Sequence, residues 1–293
     1  MSWLQELADE LTERGVTGPQ RRRIVLELQD HIACEPGCEN RLGDPLQLAA
    51  RFANELASDA ARRCALGAFG ALASAAIVLI LSQATIGHAG GYPGFDHGLS
   101  LVLFVGAALG MLIAPQVALV AGGLAGLRAL RRGARILPAS EIALIRRRAW
   151  VGLAAGIATM IGLELYVGDF SAVLPAWWLV LFGGLAATAG LALLGACARL
   201  VRTASIVSDT SGPAGDLFDD LPVIRSSWLR QRPWHLGALA WIAVALSMTV
   251  WEWYAEHSLA EGLQRGAFEG LAAAAGFALL GRSIGVARTR RED

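Results

Sequence analysis

The stretch LGAFGALASAAIVLILSQATI, residues 66–86, decides the fold. It carries no charged side chain over 21 residues, and about 20 apolar residues in a helix suffice to cross the hydrocarbon core of a bilayer. Five further stretches read the same way, at 99–121, 149–167, 175–197, 236–254 and 266–285. Backbone polar groups within lipid must be satisfied inside each segment, so helices are the predicted form. The chain as a whole agrees. With 293 residues, 55% of them hydrophobic, 17% charged and a mean hydropathy of +0.48, it is too apolar for an ordinary soluble domain. The expected fold class is all-α. A small cytoplasmic helical domain at 1–63 precedes a six-helix transmembrane bundle at 64–293, in a bacterial cytoplasmic (inner) membrane.

Arginine placement predicts orientation, because basic residues beside a span stay on the cytoplasmic face. Arg62 and Arg63 precede the first stretch, and Arg128, Arg131, Arg132, Arg135, Arg146, Arg147 and Arg148 follow the second. Arg199, Arg202, Arg225, Arg230 and Arg232 follow the fourth, and Arg282, Arg288, Arg290 and Arg291 close the chain. The three opposite loops, 87–98, 168–174 and 255–265, hold one Arg between them. Both termini are therefore expected in the cytoplasm. Trp177, Trp178, Trp251, Trp253, Tyr166 and Tyr254 fall near the outer ends, where aromatic belts anchor helices. The charged, amphipathic start is unlike a cleavable signal peptide, so the first span is expected to act as a retained anchor.

An internal repeat accompanies the spans. FGGLAATAGLALLG at 182–195 and FEGLAAAAGFALLG at 268–281 differ only at Gly183/Glu269, Thr188/Ala274 and Leu191/Phe277, so 11 of 14 positions agree. The hairpins run in the same direction, which predicts a parallel duplication rather than the inverted repeat of many transporters. Small residues four apart, Gly106 with Gly110 and Gly122 with Gly126, predict close helix approach, and Pro115 predicts a bend in the second span.

In the first 63 residues, Ser2 with Gln5 signals a helix start, Leu4, Leu7 and Leu11 give that helix an apolar face, and Gly15 ends it. Pro19 opens a second helix carrying Ile24, Leu26, Leu28 and Ile32, which Pro36-Gly37 stops. Asp44-Pro45 opens a third, with Leu48, Phe52 and Leu56 along one side, expected to run unbroken into the first span. Glu27-Leu28-Gln29-Asp30-His31-Ile32, then Leu42-Gly43-Asp44-Pro45 and Leu48-Ala49, resemble the helical-and-associated-signalling (HAAS) domain, also met as a permease prefix domain. The resemblance covers about a fifth of the chain, and the ten residues between His31 and Leu42 are a shorter connection than relatives usually have. It implies a cytoplasmic helical module fused to membrane helices, serving signalling, with a PadR-type transcription regulator as candidate partner. Glu27, Asp30, His31, Asp44 and Pro45 are the partner-binding candidates it carries, and it brings no catalytic residue.

Other candidates come from residue chemistry. Glu164 and Glu252, at equivalent places in the two repeats, are the intramembrane carboxylates, and such residues are ligand or proton-relay candidates by default. Glu164 lies about 24 Å along its helix from Arg148, nearer the outer interface than the midplane. His31, Cys34 and Cys38 are a weak metal set, lacking a fourth ligand unless Glu35, Asp30 or a partner supplies one; buried apolar roles are the plainer reading, and no metal or cofactor is expected. Residues 208–220 read as an exposed linker, and the seven-arginine loop is explained by retention on the cytoplasmic side. No Walker loop, nucleophile elbow, zincin helix or Rossmann fingerprint appears, so no enzyme is expected. Expected partners are the bilayer, a cytoplasmic protein and a homo-oligomer, without direct nucleic-acid binding. A regulator leads; a permease component and a structural scaffold are the alternatives.

Overall fold

The computed structural model describes residues 2–35, 37, 39–86, 98–170, 175–212, 234–256 and 258–281. All regular structure among them is helical. The elements are α1 (Trp3–Glu13), α2 (Gly18–Cys34), α3 (Glu39–Leu42), α4 (Pro45–Ile86), α5 (Gly98–Arg131), α6 (Ala139–Phe170), α7 (Ala176–Thr203), α8 (Trp234–Glu256) and α9 (Leu259–Gly281).

Local chemistry accounts for the helix ends. The Ser2 hydroxyl accepts the Gln5 amide at 3.3 Å and caps α1. At the other end the Gly15 amide donates to Thr12 and the Val16 amide to Leu11, at 2.9 and 2.8 Å. This is a Schellman turn, sealed by the burial of Leu11 and Val16, and it requires the left-handed φ of +79° at Gly15. Pro19 lies in the first turn of α2, where its missing N–H is harmless. The Asp44 carboxylate accepts the Leu46 amide at 3.1 Å and starts α4.

α4 is a single helix of 42 residues. Alanines at 49, 53, 57, 61 and 65, every fourth position, give it a narrow, fully buried stripe along which α1 and α7 pack closely. Leu7 and Leu11 of α1 join this stripe, and the same apolar core continues into Leu72, Leu153 and Leu193 of the bundle. Further along, α4 packs on α5, α6 and α7. Leu72 fits where Gly122, Gly152 and Gly156 leave room, and Gly126 lies against Phe69. α8 and α9 form a separate hairpin that joins the rest where Gly276 approaches Ile113 and Val117 of α5.

Among the described residues three helices are long and apolar enough to cross a membrane, within Pro45–Leu81, Ile113–Arg131 and Ala176–Thr203. That is half of the six expected stretches. The stretches 149–167, 236–254 and 266–285 each run into residues whose side chains lie outside the described set, and the described apolar part of the second of them is Gly237–Ser247. The described arginines Arg146, Arg147 and Arg148 further restrict α6.

Two expectations are corrected. Of residues 208–220, read as linker, 213–220 lie outside the described residues and 208–212 are pinned: Ser208 is buried, and Asp209, Thr210 and Gly212 bond to α4, the α5–α6 connection and α6. Polar composition looked like solvation because these partners are distant in sequence. Trp178, expected in an interfacial belt, is buried and tilts against Phe182 with ring centroids 4.6 Å apart. Its neighbour Trp177 remains exposed. The intervening helix α3, a single turn, was not foreseen from Glu39-Asn40-Arg41-Leu42.

Candidate functional site

The polar contacts concentrate where α1, the middle of α4, the α5–α6 connection and the segment after α7 meet. Ser58 on α4 is the pivot. Its hydroxyl donates to the Asn54 carbonyl at 2.7 Å and accepts the buried Leu137 amide at 2.9 Å, fixing the α5–α6 connection to the helix. Arg62, one turn on, donates to the Arg135 carbonyl. The segment after α7 crosses the same surface: the Asp209 amide donates to Asn54 Oδ1 at 3.1 Å, Thr210 donates to the Leu137 carbonyl at 3.1 Å, and the Ala139 amide donates to the Thr210 carbonyl at 3.0 Å. Two connections whose bonded residues, Leu137 and Thr210, are 73 positions apart therefore share one hydrogen-bonded patch on α4.

That patch also holds α1. The Val207 amide donates to the Arg14 carbonyl at 3.2 Å, and the Arg14 guanidinium bridges Glu10, at 2.8 Å, and Asp209. Burial works against the Arg14 cation, but its bonds to Asp209 and Glu10 outweigh burial and raise its pKa above the ordinary value. Gly15 lies directly against the Ser205 carbonyl, and a Cβ there would approach the carbonyl carbon to 2.7 Å. Glycine is thus required twice, for φ and for contact.

Behind this clasp lies an arginine framework. Glu141 is 3% exposed and accepts Arg128 Nε at 2.8 Å and Arg132 Nε at 2.7 Å. Arg128 and Arg148 are fully buried. Arg146 reaches the last carbonyls of α7, with Nη2 2.6 Å from Thr203 O, and so satisfies acceptors that the helix end leaves open. Burial lowers the pKa of its guanidinium. Cys64 Sγ lies 3.2 Å from Thr203 Oγ1 in the same joint. Arg128, Arg132 and Arg146, read from sequence only as retention charges, are structural ties and Arg148 is buried, whereas Arg131, Arg135 and Arg147 remain exposed.

The candidates named from sequence divide between two places. Glu27 and Asp30 line one groove on the outer side of α2, beside Pro19, Arg22, Arg23 and the half-exposed Leu26. Arg23 Nε donates to Glu27 at 2.7 Å. His31 and Cys34, expected to be buried, are instead exposed on the last turn of that helix, which has no packing partner on that side among the described residues, and Glu35 pairs with Arg41. Asp44 and Pro45 lie elsewhere, at the start of α4, with Pro45 buried and Gly43 O accepting Trp3 Nε1 at 2.9 Å. Their role in the structure is helix initiation. Cys38 lies outside the described residues, as do the side chains of Glu164 on α6 and Glu252 on α8. Among the described residues no three of His, Cys, Asp and Glu converge as a metal would require.

The second cleft of interest separates α2 from α4. About 580 Å³ in volume, it has Ile24, Phe52 and Leu56 as its apolar floor and Arg23, Glu55, Asp59, Arg62 and Arg63 around it, with Arg135 and Ile136 closing one end. α2 itself contains no buried residue. It is held by the partly buried Ile24 and Leu28.

Compared with protein-family descriptions, with curated proteins and with solved structures, the chain gives no match. What the fold defines is an α-helical protein with helices fit to cross a membrane, joined to a helical head by a single long helix.

Proposed function

We propose that this chain is a membrane-anchored signalling or regulatory protein whose helical head binds a cytoplasmic protein. The observation that carries the reading is the clasp: Arg14, Gly15, Asn54 and Ser58 on the head side meet Ser205, Val207, Asp209 and Leu137 on the bundle side. α4 is common to both bodies, and a rigid helix carries a tilt or rotation of the bundle into the head. Such a movement strains the clasp and shifts α2 relative to α4, opening or closing the cleft between them. The docking face is the outer side of α2, where Leu26 stands among Arg22, Arg23, Glu27 and Asp30.

Resemblance of Glu27–Ile32 and Leu42–Ala49 to the HAAS or permease prefix domain supports the same reading, with a PadR-type transcription regulator as the candidate partner. The membrane part is proposed to have six spans, with head and tail in the cytoplasm of a bacterium, on the strength of the six apolar stretches and the arginine asymmetry. Nothing in the exposed chemistry of the described residues favours a transport reading over this one.

The test is retention of a PadR-type regulator from the same organism by the full chain in lipid nanodiscs. Wild type retains it, and Leu26→Ala combined with Asp30→Ala loses it while the melting temperature is unchanged, since both residues are exposed. Equal retention by both chains, or retention by neither, rejects the assignment. Reporter fusions at residues 1 and 293 test the topology independently, and opposite faces would reject it.

A further inference from the structure

Arg62 is a cation set into the wall of the cleft between α2 and α4, with its donors only partly used. Its side chain is 12% exposed. Nη2 donates to the Arg135 carbonyl, Nη1 reaches Asp59 only at 3.5 Å, longer than an ordinary hydrogen bond, and Nε has no partner. A buried donor left without an acceptor is destabilising, so this wall of the cleft is suited to a ligand that brings one. Asp59 is also held by Arg63, and the exposed Arg135 side chain, at the same end of the cleft, takes part in no ion pair or hydrogen bond among the described residues. Three guanidinium groups therefore meet one carboxylate at that end. Of the other carboxylates in the cleft, Glu27 is paired with Arg23 and Glu55 is exposed to solvent. The remaining surface is apolar, with Ile24, Phe52 and Leu56 partly buried against the core. A volume of about 580 Å³ with an apolar floor and a few converging polar groups is what small-molecule sites present.

We propose that this cleft binds a small free amphiphile, a carboxylate on an apolar body, with the carboxylate on Arg62 and Arg135 and the body on Ile24, Phe52 and Leu56. The order of these groups along α4 selects a free molecule over a lipid of the bilayer. α4 carries no charge from Leu66 to Ile86, and the span of α5 runs to Arg131. Arg62 and Arg135 thus lie four positions outside two spans, at the level of the headgroups. Phe52 precedes Arg62 by ten positions and so lies about 15 Å further from the bilayer. A ligand that uses both ends has its acid toward the membrane and its apolar body away from it. A phospholipid is built the other way round. With its chains in the bilayer it brings a phosphate to Arg62 but places nothing apolar on Phe52. The inference needs α4 to enter the bilayer beyond Arg63; it does not depend on the protein partner proposed for the head, and the two are measured separately.

The probes are octanoate and its uncharged amide, octanamide, added to the full chain in phosphatidylcholine nanodiscs, and the readout is hydrogen exchange over residues 20–28 and 52–58. Octanoate slows exchange saturably, with a midpoint about tenfold or more below that of octanamide, because the acid forms charge-assisted bonds that the amide does not. In Arg62→Gln the two midpoints coincide. Arg135→Glu guards against disturbance of the fold by that change: the Arg135 side chain is exposed and unbonded, and a carboxylate in its place abolishes the preference for octanoate as well. Absence of saturable protection in wild type, equal midpoints for acid and amide, or a preference that survives either variant overturns the proposal. So does protection produced by phosphatidylglycerol in the discs without octanoate, which assigns the cleft to a lipid of the bilayer.

Discussion

Replacing Gly15 by alanine is expected to release the head from the segment that follows α7. Gly15 has φ +79°, where a side chain is penalised by about 1–2 kcal/mol. Gly18, at φ +65°, carries the same kind of penalty, but a Cβ there would meet nothing within 4 Å. At Gly15 the Cβ would overlap the Ser205 carbonyl oxygen and lie 3.3 Å from Ile206 Cα. These are backbone atoms, which cannot rotate aside. Ordinary carbon contacts need about 3.5 Å or more, so residues 205–207 must withdraw by roughly an ångström or more. The Val207 amide, already 3.2 Å from Arg14 O, then leaves hydrogen-bonding range.

Losing that bond removes about 1 kcal/mol. The Arg14–Asp209 pair, with Asp209 more than half exposed, adds at most about 1 kcal/mol after screening. The clasp weakens by about 2 kcal/mol, which is roughly a thirtyfold change in its opening equilibrium. Hydrogen exchange read by mass spectrometry on the full chain in nanodiscs, over residues 204–212, should therefore speed up about thirtyfold in Gly15→Ala. Gly18→Ala should stay within about threefold of wild type, because it changes backbone strain without touching the clasp. Equal exchange in the two variants would refute the reasoning.

Glu141→Gln leaves Arg128 buried beside a neutral amide, so a loss of about 3 kcal/mol and a melting temperature several degrees lower are expected in detergent. Arg132→Ala, at a side chain 38% exposed, should cost about 1 kcal/mol or less; equal effects of the two changes would contradict the assignment of Glu141 as the buried tie. Ser58→Ala removes the acceptor of the buried Leu137 amide, so a loss of about 1–3 kcal/mol is expected. Exchange at residues 135–138 should rise with it, and unchanged protection there would exclude Ser58 as the tie between α4 and the α5–α6 connection.

Runs of apolar residues and the signals at their ends are local properties, and helix is a local structure, so the all-α class was legible from residues 66–86 and their counterparts. The same holds for Ser2 at the start of α1, Gly15 at its end and Pro19 in the first turn of α2, because each acts on a backbone group within a few residues. Gly122 and Gly126 were legible as close-packing positions for a similar reason, since small size is a property of the residue, although Leu72 and Phe69 as their neighbours were not.

The candidate site belongs to the other category. Arg14 meets Asp209 across 195 positions of chain, and Leu137 meets Ser58 across 79. No local composition distinguishes a polar residue that is solvated from one that is bonded to a distant segment, which is why 208–212 resembled a linker. Arginine placement likewise predicts a membrane face but cannot separate the exposed Arg131 from Arg128, three positions earlier in α5, which is buried against Glu141 of α6. The repeat makes the division plain. Near-identical motifs at 182–195 and 268–281 both form helix, as their residues dictate, yet a Cβ on Gly270 would meet Trp241 and Ala245 of α8, while nothing among the described residues lies within 4 Å of one on its counterpart Gly184. Sequence alone determined helix and hydropathy, which are summed over neighbours along the chain. Burial, pairing and exposure depend on which elements arrive from far away, and only the tertiary structure decided those.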